Sequence, residues 1–176
     1  MWSALLFAGQ YALSAIANVE VVTLLIMVYA YAFGYWTFAT LPVFVLLEGL
    51  VWGFSWWWPT YLYIWIFPAL IVVLLKKAGM RYRVIYALAA GLYGLIFGFF
   101  FAIPNLFIGG PAYMFSFWVS GIPFDLVHAG ANFVISLILF MPLAKVVEML
   151  AVRTGLLQKK PDNLQNKSVS ENGIEK

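Results

Sequence analysis

Apolar residues run almost unbroken as far as Arg153, and the few interruptions give the chain its shape. Polar or Gly/Pro breaks divide the apolar mass into stretches at about 2–17, 21–35, 37–55, 59–77, 83–103 and 122–152, and a spanning helix needs roughly 20 apolar residues, with about 17 as a lower limit. The first stretch stops at Asn18-Val19-Glu20 and the second near Gly34-Tyr35-Trp36. Both are short, so they are expected to tilt or to extend through the turn. Trp56-Trp57-Trp58-Pro59 separates the third from the fourth. Pro142 is expected to kink the sixth or to mark its interface. From Gly155 the sequence turns polar. Residues 156–176 cannot bury enough apolar area to fold and are expected to form a disordered tail.

Composition turns this pattern into a class. With 65% hydrophobic and 10% charged residues, the chain lacks the polar surface that a soluble core requires. The pattern predicts an all-α polytopic membrane protein, a six-helix transmembrane bundle over residues 1–155. The basic residues then orient it. Lys76, Lys77, Arg81 and Arg83 fall in one connection, and Lys145, Arg153, Lys159, Lys160, Lys167 and Lys176 lie at or beyond the end of the chain's apolar part. The positive-inside rule places both of these segments, and both termini, in the cytoplasm. The outer connections are then 18–20, 56–59 and 104–121. Trp56, Trp57, Trp58, Trp65 and Trp118 are expected at the outer headgroup level, where indole rings are favoured. The formal charge of +3 is this bias plus a basic tail, not a nucleic-acid signal. Met1-Trp2-Ser3 lacks the basic n-region of a secretory signal.

Several chemistries are excluded by missing parts. No Gly-rich loop precedes Lys-Ser/Thr, so nucleotide hydrolysis through a P-loop is not expected. One histidine and no cysteine argue against a multi-ligand zinc or haem site. No Gly-x-Ser-x-Gly turn is present. Neither an enzyme nor a cofactor is expected.

The polar residues inside apolar stretches carry the sharpest signal. Glu48 lies within the third stretch. Asp125, His128 and Asn132 stand at i, i+3 and i+7 of the last and share one helical face. Asn18 and Glu20 close the first outer turn. Ionisable groups in apolar spans are costly unless paired or hydrated, which makes them functional candidates. All fall in the outer half, where Trp56, Trp57, Tyr61, Asn105 and Tyr113 are also expected. A substrate-binding site is one reading. The other is structural: an Asp125–His128 pair, with Asn132 bonding a neighbouring helix.

Small residues form two stripes. Ala4, Ala8 and Ala12 recur every four residues on the first helix, and Ala87, Gly91, Gly94 and Gly98 do so closely on the fifth. Such stripes let helices approach closely in lipid. The second is assigned to packing within the chain. By spacing alone, the first fits either internal packing or a partner surface.

Together these features resemble the S component, the substrate-binding membrane subunit, of energy-coupling factor vitamin transporters. The resemblance covers about residues 1–152 in size, layout and polarity. It rests on the Ala4/Ala8/Ala12 stripe and on Gly121-Ile-Pro-Phe-Asp-Leu-Val-His-Ala-Gly-Ala-Asn132 followed by Pro142-Leu143. It implies a prokaryotic plasma-membrane protein whose Ala stripe docks on a transmembrane coupling subunit driven by two cytoplasmic ATPases. It also implies a ligand near the outer face, at Asn18, Glu20, Trp56, Trp57, Tyr61, Asn105, Tyr113, Asp125, His128 and Asn132. The riboflavin branch is similar at Pro123-Phe124 but has Asn and Lys where this chain has Asp125 and His128, a departure that speaks against a flavin.

The outer pocket as read from sequence holds Glu20, Glu48 and Asp125 and no cation besides a protonated His128. Burying an anionic vitamin there is unfavourable, whereas a neutral or cationic ring suits Trp and Tyr walls. Thiamine or its pyrimidine, a pyridoxine-like ring, a queuine-like base and a corrinoid all remain open. A stand-alone proton-coupled permease or channel using Glu48, Asp125 and His128 is the alternative, and an intramembrane enzyme using Glu48 or Asp125 a third. Conduction calls for polar groups along the whole crossing. The inner halves hold almost none besides Lys145 and Glu148.

Overall fold

A computed structural model describes residues 1–16 and 19–158. Among them there are only helices and turns: α1 (Trp2–Leu13), α2 (Val22–Phe33) continued by a 3-10 turn (Gly34–Ala39), α3 (Leu41–Trp52), α4 (Trp58–Ile64), α5 (Ile66–Lys77), α6 (Arg83–Ala102) and α7 (Asn105–Arg153). Four helical stretches are long and apolar enough to cross a membrane: Val22–Ala39, Trp58–Lys77, Arg83–Ala102 and Asn105–Arg153. Helix α3 is apolar but shorter, and α1 ends at Leu13. From residue 159 onward the expected tail lies outside the described residues.

Helix α2 is the centre of the bundle. It carries no charge and is apolar on every face, the pattern of a helix enclosed by others. Val22, Thr23, Leu24, Ile26, Met27, Val28, Tyr29, Ala30 and Ala32 are all buried. Glu20 starts it: its Oε2 accepts the Thr23 backbone N–H at 2.8 Å, placing a carboxylate at the positive end of the helix dipole. At the far end of α2, Lys76 Nζ donates to Tyr31 O and Lys77 Nζ to the Tyr35 hydroxyl at 2.9 Å. Lys76 also pairs with Glu148 at 3.7 Å. The two ends of the bundle are named here for Glu20 and Lys76. Ser3 Oγ donates to Thr40 O at 2.9 Å, so α1 and α3 both begin at the Lys76 end.

Two prolines interrupt helical hydrogen bonding, and in each case a tyrosine repairs the loss. Pro68 has no N–H to offer Ile64 O, and Trp65 stands between α4 and α5. The Tyr93 hydroxyl donates to that carbonyl at 3.0 Å. Pro104 likewise fails Phe100 O, which accepts from the Tyr63 hydroxyl at 2.6 Å. A buried backbone carbonyl left without a partner would cost about 1–3 kcal/mol.

Helices α6 and α7 pack along the second small-residue stripe. A Cβ on Gly94 would stand 2.9 Å from Ala129 N and His128 C, and one on Gly98 would collide with the Asp125 carboxylate. Ala87 is fully buried. This stripe therefore serves internal packing. The first stripe does the reverse: Ala4, Ala8 and Ala12 are exposed, on the opposite side of α1 from buried Ser3 and Leu6.

The expected connection at 104–121 is instead helical, as the beginning of α7. The one departure from helical geometry inside α7 is Gly110, at φ 79°. That left-handed conformation costs glycine no Cβ clash. Pro111 follows it, where a helix start has no use for the missing N–H. The helix then passes Pro123 and Pro142 without leaving helical φ/ψ. At about 1.5 Å per residue, the stretch 111–153 is on the order of 65 Å long. A bilayer with its headgroups measures ~40–45 Å, so a spanning α7 tilts or projects beyond it.

Candidate binding cavity

The periodicity of α7 selects which of its side chains turn inward. Asp125, His128, Asn132, Ser136, Phe140, Ala144, Val147 and Ala151 are buried, a single stripe that is polar as far as Ser136 and apolar beyond. The polar half lies toward the Glu20 end. There His128 reaches across to the α1–α2 connection, and its Nε2 donates to Glu20 Oε1 at 3.1 Å. Both Glu20 oxygens are thus engaged, one by His128 and one by Thr23 N–H. Burial acts to raise the Glu20 carboxyl. The hydrogen bond and charge of His128, with the Thr23 contact, outweigh it and hold the group below the ordinary carboxylate value.

This pair borders a cavity of about 400 Å³. The end of α1 and the following turn contribute Gln10, Leu13, Ser14, Ile16 and Val19. Helix α3 supplies Glu48 and Trp52, α4 supplies Tyr61 with Trp57 just before its first residue, and Trp65, Phe97 and His128 complete the lining. Among the described residues that line it there is no Lys or Arg.

The aromatic wall is a consequence of helical spacing. Trp57, Tyr61 and Trp65 recur every four residues and so share one face. Their rings meet edge to face, Trp57 to Tyr61 at 5.0 Å and Tyr61 to Trp65 at 5.4 Å. Trp65 meets Phe97 at 5.8 Å, and Phe97 meets the His128 ring at 4.8 Å. The wall therefore ends on the imidazole that holds Glu20. Below it, Trp65 packs against Phe44 at 5.9 Å and Tyr93 at 6.5 Å, the top of an apolar core. Farther along, Tyr86 stacks on Phe140 at 4.5 Å.

Glu48 differs from Glu20. The residue is 2% exposed, it lines the cavity, and its Oε1 has no hydrogen-bond partner among the described residues. Tyr61 lies within electrostatic reach of both carboxylates.

Of the residues singled out from sequence, Glu20, Glu48, Trp57, Tyr61 and His128 come together here. Asp125 does not. Its Oδ1 accepts the Gly98 backbone N–H at 3.0 Å, because the bare Gly98 Cα lets the carboxylate reach the α6 backbone. His128 pairs with Glu20, so the Asp125–His128 pair of the structural alternative is not among the hydrogen bonds of the described residues. Asn105 and Asn132 are buried but do not line the cavity. Tyr113 is exposed near the start of α7, and Trp56 packs against Phe101 and Phe117 outside the cavity. Asn18 lies outside the described residues. Trp65, expected at the headgroup level, is 1% exposed and forms the cavity floor.

Sequence reasoning missed Gln10, Leu13, Trp52 and Phe97 as wall residues, and it read Trp65 only as an interface anchor. The four-residue spacing from Trp57 was the available signal for Trp65. For Phe97, the signal was its position one residue from Gly98 on a helix already assigned to close packing. Among the described residues, no group of three or more His, Cys, Asp or Glu side chains comes together to hold a metal ion. The chain matches no known family model, no curated protein and no solved structure.

Proposed function

We propose that this chain is a substrate-capture subunit of an energy-coupling factor type importer, a six-span membrane protein with both termini in the cytoplasm. It binds a small micronutrient at the Glu20 end, facing outward, and a coupling subunit with two ATPases drives delivery. The observation that carries this reading is the cavity itself. It is a built site with aromatic walls and two carboxylates, of the size that small-molecule pockets have, and it sits on a solid apolar core. Tyr29, Phe44, Tyr93 and Phe140 are buried beneath or beyond its floor. A protein of this form captures a ligand and depends on something else to move it.

The exposed Ala4/Ala8/Ala12 face supports the second half of the reading. Turned away from the bundle, it gives a flat surface on which another helix packs closely. Ala8→Trp tests it. Ligand affinity of the isolated protein should be nearly unchanged, while co-purification with an ATPase module and uptake in cells should be lost. Uptake by the wild-type protein in liposomes with no other subunit would overturn this reading in favour of a permease.

A further inference from the structure

The two carboxylates at the cavity are not equivalent, and the difference specifies a ligand. Resting on the capture reading above, we infer that Glu48 receives a cationic N–H group of the ligand, and that the substrate class is a ring compound carrying one such group. Each Glu20 oxygen already has a protein partner: His128 holds one at 3.1 Å and Thr23 N–H the other at 2.8 Å. Glu48 is more deeply buried than Glu20, lines the same cavity, and has in Oε1 an acceptor without a partner among the described residues. A buried carboxylate is stable only when paired or hydrogen-bonded. No Lys or Arg among the described lining residues supplies that partner. A ligand cation does so, and its N–H satisfies the orphan oxygen in the same contact.

The rest of the cavity fits the rest of such a molecule. Trp57, Tyr61 and Trp65 offer ring faces and edges beside Glu48, and aromatic faces attract cations as well as stacking on rings. About 400 Å³ suits a compact ligand rather than an extended chain. An anionic ligand would meet two carboxylates, and the described lining residues offer no cation to offset them besides a histidine already paired with Glu20.

Isothermal calorimetry on the detergent-solubilised protein tests this with three compounds that share one ring and differ in charge: tryptamine, tryptophol and indole-3-acetate. Tryptamine should bind at least tenfold more tightly than tryptophol, and indole-3-acetate should not bind measurably. Glu48→Gln should abolish the tryptamine preference, bringing tryptamine and tryptophol to within about twofold of each other, and Glu48→Asp should keep part of it. Equal binding of the three, or a tryptamine preference that survives Glu48→Gln, overturns the Glu48 assignment and leaves the capture reading intact, since the cavity then still binds. Binding of none also overturns the assignment. The capture reading is decided separately, by whether the protein retains a small molecule from the cell.

Discussion

His128 Nε2 and Glu20 Oε1 stand 3.1 Å apart although 108 positions separate them in the chain. This contact joins the last helix to the turn that starts the central one, and both side chains border the cavity. His128→Ala would leave the Glu20 carboxylate short of one partner in a buried setting. The expected loss is about 1–3 kcal/mol of stability, read as a lowered midpoint in a thermal or denaturant melt. An unchanged midpoint would show that the pair contributes nothing to the fold.

The same pair predicts a pH dependence. Glu20 is held below its ordinary value of 4.5 in the folded protein, so the unfolded state binds its proton more readily. Its stabilising contribution is complete above about pH 4.5 and is lost as pH falls through the folded value. Melting temperature should therefore drop as pH is lowered below 4.5, and the drop should be smaller in Glu20→Gln. Parallel curves for the two proteins would contradict the assignment.

Close approach of α6 and α7 sets the next expectation. Gly94→Val would drive side-chain atoms into the α7 backbone at His128 and Ala129, and overpacking of this kind costs about 1–3 kcal/mol. Because His128 belongs to the displaced segment, ligand binding should weaken along with stability. A Gly94→Val protein with wild-type melting and binding would mean that the helices do not meet at this point.

Orientation is checked by reporters. A periplasm-active reporter fused after residue 155 should be silent, and one inserted at Gly109-Gly110 should be active. The reverse pattern would put the Glu20 end in the cytoplasm and remove the capture reading.

Apolar periodicity located the bundle's helices closely, because length and hydrophobicity alone determine where a chain can bury itself. It failed at 104–121 for a physical reason. Gly109-Gly110-Pro111 and Gly121-Ile122-Pro123 read as breaks, yet only Gly110 leaves helical geometry. Proline starts a helix as readily as it ends one, and a proline inside an enclosed or membrane helix is tolerated. The site was half legible. Spacing placed Asp125, His128 and Asn132 on one face, and the structure puts all three on the buried stripe of α7. Spacing could not tell which neighbour each would meet. That depended on Gly98, whose missing side chain draws Asp125 to the α6 backbone and leaves His128 for Glu20.

Tyr61 lines the cavity with Glu20 and Glu48, and it has a ring contact on either side, with Trp57 and Trp65. Mass spectrometry of small molecules retained by the detergent-solubilised protein, comparing wild type with Tyr61→Ala, tests the binding claim most directly. A near-stoichiometric ring compound in the wild type, lost or much reduced in Tyr61→Ala, is the predicted result. No retained molecule in the wild type, or equal retention by both proteins, would contradict binding in this cavity.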